Sequence, residues 1–253
     1  MLAPLALALL LVPQLIDKTA PSPAPPMPAD LTAERRADIL MARKMYREAA
    51  DSYQQAIRDP KEKGRTHILY NKLGIAFHQQ AQFDLARRCY QRAISAKKDY
   101  SEAVNNLGTV YYASKSYRRA LSQYKRALKL SPESSSIYSN LGTAYFARHQ
   151  YKEASEAYAT ALKLDPEIFE HRSTFGSILQ ERSVEDRARF HYYLAKTYAE
   201  AGYADRALQY LRRALEEGYK ERAKIKEEAS FASLQDNPEF LQLLVADTPV
   251  INQ

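Results

Sequence analysis

From Asp30 onward the apolar positions follow the spacing of helices, and the pattern comes back at a fixed interval. Three stripes carry it: Tyr70-Leu73-Gly74-Phe77, Val104-Leu107-Gly108-Tyr111 and Tyr138-Leu141-Gly142-Tyr145. Each runs i, i+3, i+4, i+7, which is one face of an α-helix. Glycines fall at 74, 108, 142 and 176, each 34 residues after the last. About twelve residues beyond the first three glycines comes a second stripe: Ala86-Tyr90-Ala93, Ala120-Tyr124-Ala127 and Ala154-Tyr158-Ala161. Pro132 and Pro166 close two of these second helices. The pattern predicts units of two antiparallel helices. Glycine and alanine mark places where a neighbouring helix packs closely, and the aromatic rings fill the gaps beside them. No such unit buries its stripe alone, so the units must stack.

The flanks keep the theme less strictly. Ala49-Tyr53-Ala56 fits the second helix of an earlier unit, with Ala37 where the glycine would be and about three extra residues around Gly64. Beyond Pro166, helix Val184–Glu200 is readable as the second helix of one unit or the first of the next. The Ala-Gly turn at 201–202 and the following Ala207-Leu211-Ala214 stripe favour the latter, leaving Glu167–Gln180 as a helix without a full partner. The expected division is therefore 30–66 as a degenerate unit, 67–100, 101–134 and 135–168 as full units, 169–187 as a partial one, 188–221 as a full unit, and 222–253 as a cap and tail. In the last segment Phe231, Leu234, Phe240, Leu241 and Leu244 would cover the apolar face of the final unit. An amphipathic helix for a membrane or partner is the competing reading of that segment.

The three central units resemble the tetratricopeptide repeat family. Its pattern has a bulky residue at position 4, Leu-Gly at 7 and 8, aromatic residues at 11 and 24, alanines at 20 and 27, and proline at 32. Units numbered from His67, Ser101 and Ser135 match almost every position, with Tyr70, Val104 and Tyr138 in place of tryptophan and Lys98 in place of the first proline. The resemblance is to a bacterial type of such protein. It implies an all-α fold, a right-handed α-solenoid of stacked antiparallel helix hairpins in 34-residue units with a C-terminal capping helix.

The resemblance also implies where a ligand would touch. In such arrays the first helix of each unit lines the concave groove through positions 2, 5, 6, 9 and 12. Here these include Asn71, Lys72, Ile75 and His78; Asn105, Asn106, Thr109 and Tyr112; and Ser139, Asn140, Thr143 and Phe146. Similar arrays use asparagine at position 6 to bond a peptide backbone, since the amide both donates and accepts. Asn106 and Asn140 form such a pair, interrupted by Lys72 and Thr174. The subclass that clamps chaperone C-termini needs basic residues where this chain has Ser136 and Asn140, which argues against that role.

Composition narrows the function classes. Among 253 residues, 45% are hydrophobic and 26% charged, which is ordinary for a folded domain. The five histidines show no metal-ligand spacing, and no phosphate loop or nucleophile elbow appears. The expectation is a non-catalytic scaffold with no cofactor or metal and a protein or peptide partner. Cys89, the single cysteine, excludes an intrachain disulfide and reads as a small apolar residue on a packed helix. The net charge of +7 falls wholly on the folded part, because Asp17 and Lys18 cancel in the first 29 residues. Basic pairs such as Arg87-Arg88, Arg118-Arg119 and Lys125-Arg126 lie on second helices. They read as a solvated face, with contact to anionic lipid or nucleic acid as the alternative; the 34-residue period argues against RNA-reading repeats.

The uncharged run Leu2–Ile16 is too short to span a bilayer as a helix and suits a secretory signal core or an anchor. An uncleaved apolar tail or a mis-assigned start is the alternative. The proline-rich stretch 17–29 reads as a semi-stiff linker. These features point to an exported or envelope-associated protein, periplasmic or tethered at the membrane, rather than a cytoplasmic one.

Overall fold

The computed structural model describes residues 31–170 and 183–245. The apolar segment 1–16, the linker 17–29, Thr174, Gly176, most of the helix expected at 167–180 and the tail beyond 245 lie outside those residues. The described secondary structure is entirely helical. Five antiparallel hairpins follow one another: α1 (Ala33–Ala42) with α2 (Tyr46–Arg58), α3 (Thr66–Gln79) with α4 (Phe83–Ala96), α5 (Ser101–Ala113) with α6 (Tyr117–Leu130), α7 (Ser135–Phe146) with α8 (Tyr151–Leu164), and α9 (Val184–Glu200) with α10 (Ala204–Glu216). The first helix of each pair is called its A helix and the second its B helix. The extra residues between α2 and α3 form a 3-10 turn, Pro60–Arg65. Helix Val184–Glu200 is the A helix of the last hairpin.

Each hairpin turns in the same way. A residue with positive φ sits at Lys44, Ala81, Lys115, His149 and Gly202, all at the same place between the two helices. At the third hairpin the Lys115 N–H donates to the Tyr112 carbonyl and the Ser116 N–H to that of Tyr111, both at 2.8 Å. This closes the A helix by a left-handed cap that satisfies its last carbonyls. Only the last hairpin uses glycine there.

The small residues of the stripes are where rings lie. A Cβ added at Gly108 would fall 2.6 Å from Cε1 of Tyr124, and one at Gly142 would fall 2.5 Å from Cε1 of Tyr158. The tyrosine of each B helix is thus laid flat against its own A helix at the one position without a side chain. Ala86, Ala93, Ala120, Ala127, Ala154 and Ala161 are all completely buried, so the next unit's A helix rests directly on the B helix.

The chain after α10 folds back as the short helix α11 (Arg222–Ile225), a 3-10 turn (Ala229–Leu234) and α12 (Pro238–Val245). Phe231, Leu234 and Phe240 are buried over the last hairpin, as the cap reading requires. Leu241, expected to face inward, is 42% exposed, and Leu243 is buried instead. Pro238 starts the helix, and one turn set by that start places Phe240 and Leu243 on the same side. No described helix is long and apolar enough to cross a membrane.

Candidate functional site

The A-helix face holds the residues that the sequence points to, and the structure divides them into two groups. Asn71, Ser139, Thr143 and Phe146 are no more than 2% exposed, which corrects their reading as open groove contacts. Asn71 donates to Glu102 Oε1 at 2.8 Å and accepts from Asn106 Nδ2 at 3.0 Å. Thr143 Oγ1 receives the Tyr158 hydroxyl at 3.3 Å and donates to the Ser139 carbonyl at 2.9 Å. Thr109 does the same for Tyr124 at 3.4 Å. Phe146 is covered by Phe190 and Tyr193 of the next A helix, with ring centroids 5.5 and 6.1 Å away.

The asparagines are clips between neighbouring units. Asn140 Nδ2 donates to Asn105 Oδ1 at 3.0 Å, as Asn106 does to Asn71. In repeat terms, position 6 of one unit donates to position 5 of the unit before. Lys72 obeys the same rule: its Nζ reaches Glu34 Oε1 and Asp38 Oδ2 on α1, each at 2.8 Å. Lys72 therefore continues the ladder in ionic form rather than interrupting it. What Asn106 and Asn140 retain is a carbonyl oxygen with no partner among the described residues and a second N–H, both on half-buried side chains. Ile75, His78 and Tyr112 are likewise half-buried on this face. Burial holds His78 below the usual histidine range, so it is neutral at pH 7.

The ionic end of the ladder makes one pH prediction. Arg65 forks onto Glu34 at 2.8 and 3.1 Å beside Lys72. Burial raises the Glu34 carboxyl, but the hydrogen bonds from Lys72 and Arg65 outweigh it and hold it below the usual carboxylate range. A carboxyl lowered in the folded state adds stability above its unfolded value, near 4.3, and loses it as the pH falls through the folded value. Glu34→Gln should therefore flatten the decline of urea midpoint below about pH 4.5. An unchanged acid limb would show that this carboxylate is not linked to folding.

At the far end of the same face lies a pocket of about 400 Å³. The Tyr151 and Tyr193 rings stack there at 4.8 Å and 12°. Arg189 lies over the Tyr151 ring, donates to its hydroxyl at 3.0 Å and pairs with Glu185 at 3.2 Å. Tyr219 forms the opposite wall, its ring held by stacking on Tyr192 at 4.2 Å, and Lys220 stands exposed at the lip. Counting positions 2, 5, 6 and 9 in the 188–221 unit gives Arg189, Tyr192, Tyr193 and Lys196. The repeat register thus marks these four positions as it marks the groove positions of the central units. Tyr219 follows α10 at position 32 of that unit, where the family pattern has proline, so the register gives no sign that a ring there faces the groove; Lys220 comes next. Among the described residues no group of three or more His, Cys, Asp or Glu is placed to hold a metal ion.

Stacked hairpins in constant register, with side-chain ladders along one face, define a helical-repeat protein of the α-solenoid class. Models of the tetratricopeptide repeat match residues 68–100 and 135–168, and a TPR repeat model matches 110–148. Residues 68–100 and 110–168 thus carry tetratricopeptide repeats. A MamA structure from Desulfovibrio magneticus RS-1, comprising residue 41 to the end, is 18% identical with a TM-score of 0.51; the match covers 75% of this chain and 94% of that one. Another MamA crystal structure is 19% identical over 78% of this chain and 93% of that one, with a TM-score of 0.50. YrrB, described as a TPR protein with an unusual peptide-binding site, is 18% identical over 76% and 88%, with a TM-score of 0.47. These likenesses are of fold. No curated protein matches the chain.

Proposed function

We propose that this protein is an interaction scaffold that binds a segment of a protein partner along its A-helix face. The reading rests on one observation above all: the 400 Å³ pocket whose tyrosine walls are already fixed by stacking. Rings held in place lose little freedom on binding, and an apolar or aromatic side chain fits between Tyr193 and Tyr219 as an anchor. The spare amide groups of Asn140 and Asn106 continue from that anchor toward the N-terminal end of the face and suit a peptide backbone. Arg189 and Lys220 together with Glu185 and Glu221 give the rim both signs of charge, so the anchor rather than a charge sets the choice of segment.

The test is affinity capture from the native cell with the wild type and a Tyr193→Ala/Tyr219→Ala variant, both checked for folding by circular dichroism. Loss of most of a saturable, identified partner from the folded variant is the expected outcome. Recovery of the same partners at the same level would remove the pocket from the reading. Capture that depends on nucleic acid and collapses in modest salt would replace the reading with a polyanion-binding one.

A further inference from the structure

The opposite face carries a cleft that the peptide-groove reading does not use. It opens between the B helices α2 and α4, with α3 as its floor, and holds about 560 Å³. Ile57, Phe77, Leu85 and Cys89 supply apolar surface; Leu85 is 40% exposed, and burial pushes the Cys89 thiol up to about 11, so it acts as a small apolar group. Three arginines stand around this surface: Arg58 on the α2 side, and Arg88 and Arg92 one helical turn apart on the α4 side. All three are exposed, and none is paired with a carboxylate among the described residues. Arg58 donates only to the Gln54 carbonyl, and Arg92 lies over the Tyr70 ring at 5.5 Å.

The repeats themselves provide the comparison. In the next junction the places of Arg58 and Arg88 are taken by Ser95 and Ser122, and Arg119 stands where Leu85 does. In the one after, the places of Leu85, Arg88 and Arg92 are held by Glu153, Glu156 and Thr160. The same hairpin stacking is built all three times, so the fold does not require arginines on both sides of an apolar cleft.

We propose that this cleft is a second docking site, and that its partner is an acidic amphipathic helix of another protein. The apolar stripe of such a helix would lie on Ile57, Phe77 and Leu85. Its flanking carboxylates would meet Arg88 and Arg92 on one side, whose i, i+4 spacing matches one turn of the guest, and Arg58 on the other. Carboxylate–arginine pairing sets the choice of partner and the apolar stripe supplies the affinity. The site is independent of the tyrosine pocket, so the protein would hold two partners on two faces.

A fluorescein-labelled synthetic 15-residue helix, with leucines along one stripe and glutamates on both flanks, tests this by anisotropy with the full chain. Saturable binding is expected, weakened at least tenfold by Arg88→Glu/Arg92→Glu and also by Leu85→Ala, which changes no charge. Lys125→Glu/Lys129→Glu, an equal charge change at another junction, should leave binding unaltered, as should Tyr193→Ala/Tyr219→Ala. A peptide with lysine flanks should not bind. The proposal is overturned if the acidic helix does not bind, or if both charge-reversed variants lose it equally. It is also overturned if the arginines govern only binding to phosphatidylglycerol vesicles, which would make the cleft a membrane contact.

Discussion

Replacing Tyr158 by alanine should lower the stability of the array by about 3–5 kcal/mol, the range for deleting a buried aromatic side chain. The residue is completely buried. Phe169 and Phe190 meet its ring edge-on at 5.4 and 5.8 Å, and its flat face covers Gly142. The loss therefore opens a cavity shared by two hairpins, and it leaves Thr143 without the Tyr158 hydroxyl. Urea unfolding followed by helical circular dichroism measures it; a shift under about 1 kcal/mol would mean that the neighbours collapse into the space. A double-mutant cycle sharpens the point. Gly142→Ala alone should cost about 1–3 kcal/mol by overpacking, less the roughly 1 kcal/mol that alanine gains in a helix. In the Tyr158→Ala background the same change should instead stabilise, because the clashing ring is gone. The N-terminal hairpin supplies a natural contrast. Ala37 holds the glycine's register position there, and the Tyr53 hydroxyl donates to Asp38 Oδ1 at 2.6 Å in place of a threonine.

The second large effect is expected at the cap. Phe240 is fully buried and packs against Phe231 at 5.6 Å, with Arg212 of α10 paired to Glu239 beside it. Phe240→Ala should cost about 3–5 kcal/mol locally by cavity formation. In a stacked array this loss is concentrated at the terminal hairpin, whose apolar side is then exposed to solvent. The variant should bind a hydrophobic dye and elute earlier in size exclusion at higher protein concentration, while the central hairpins stay folded. A monodisperse variant with unchanged dye binding would show that α12 is dispensable as a cover.

The period of the sequence made the fold legible, because glycine, alanine and aromatic positions are dictated by helix approach and recur wherever the approach recurs. The ligand face was less legible for an equally physical reason. Positions 5 and 6 lie on the side of the A helix that faces both a groove and the next A helix. Which of the two a side chain serves depends on the spacing between units, and periodicity does not encode that spacing. Complementary chemistry was the available clue: Glu34 with Lys72, Asn71 with Asn106 and Asn105 with Asn140 are matched acceptors and donors across units. The tyrosine pocket was half-legible, through Arg189 and Tyr193 in register, while Tyr219 stands at position 32, which the family pattern gives to proline and not to a groove contact. The arginine cleft could be told from a solvated basic face only once α2 and α4 were seen to share it.

The clips differ in kind along the array, and that gives its unravelling a direction. The first is ionic, made by Lys72 with Glu34 and Asp38; the next two are neutral amide bonds. At the fourth place Ser139 Oγ has no partner among the described residues, and Phe146 packs on Phe190 and Tyr193. Dissolved ions screen the first, leave the amides nearly untouched and strengthen none of the charges. Rising ionic strength should thus loosen the first junction more than the two amide-clipped ones that follow, and amide hydrogen exchange in the α1–α2 hairpin should quicken before exchange in α3–α6 does.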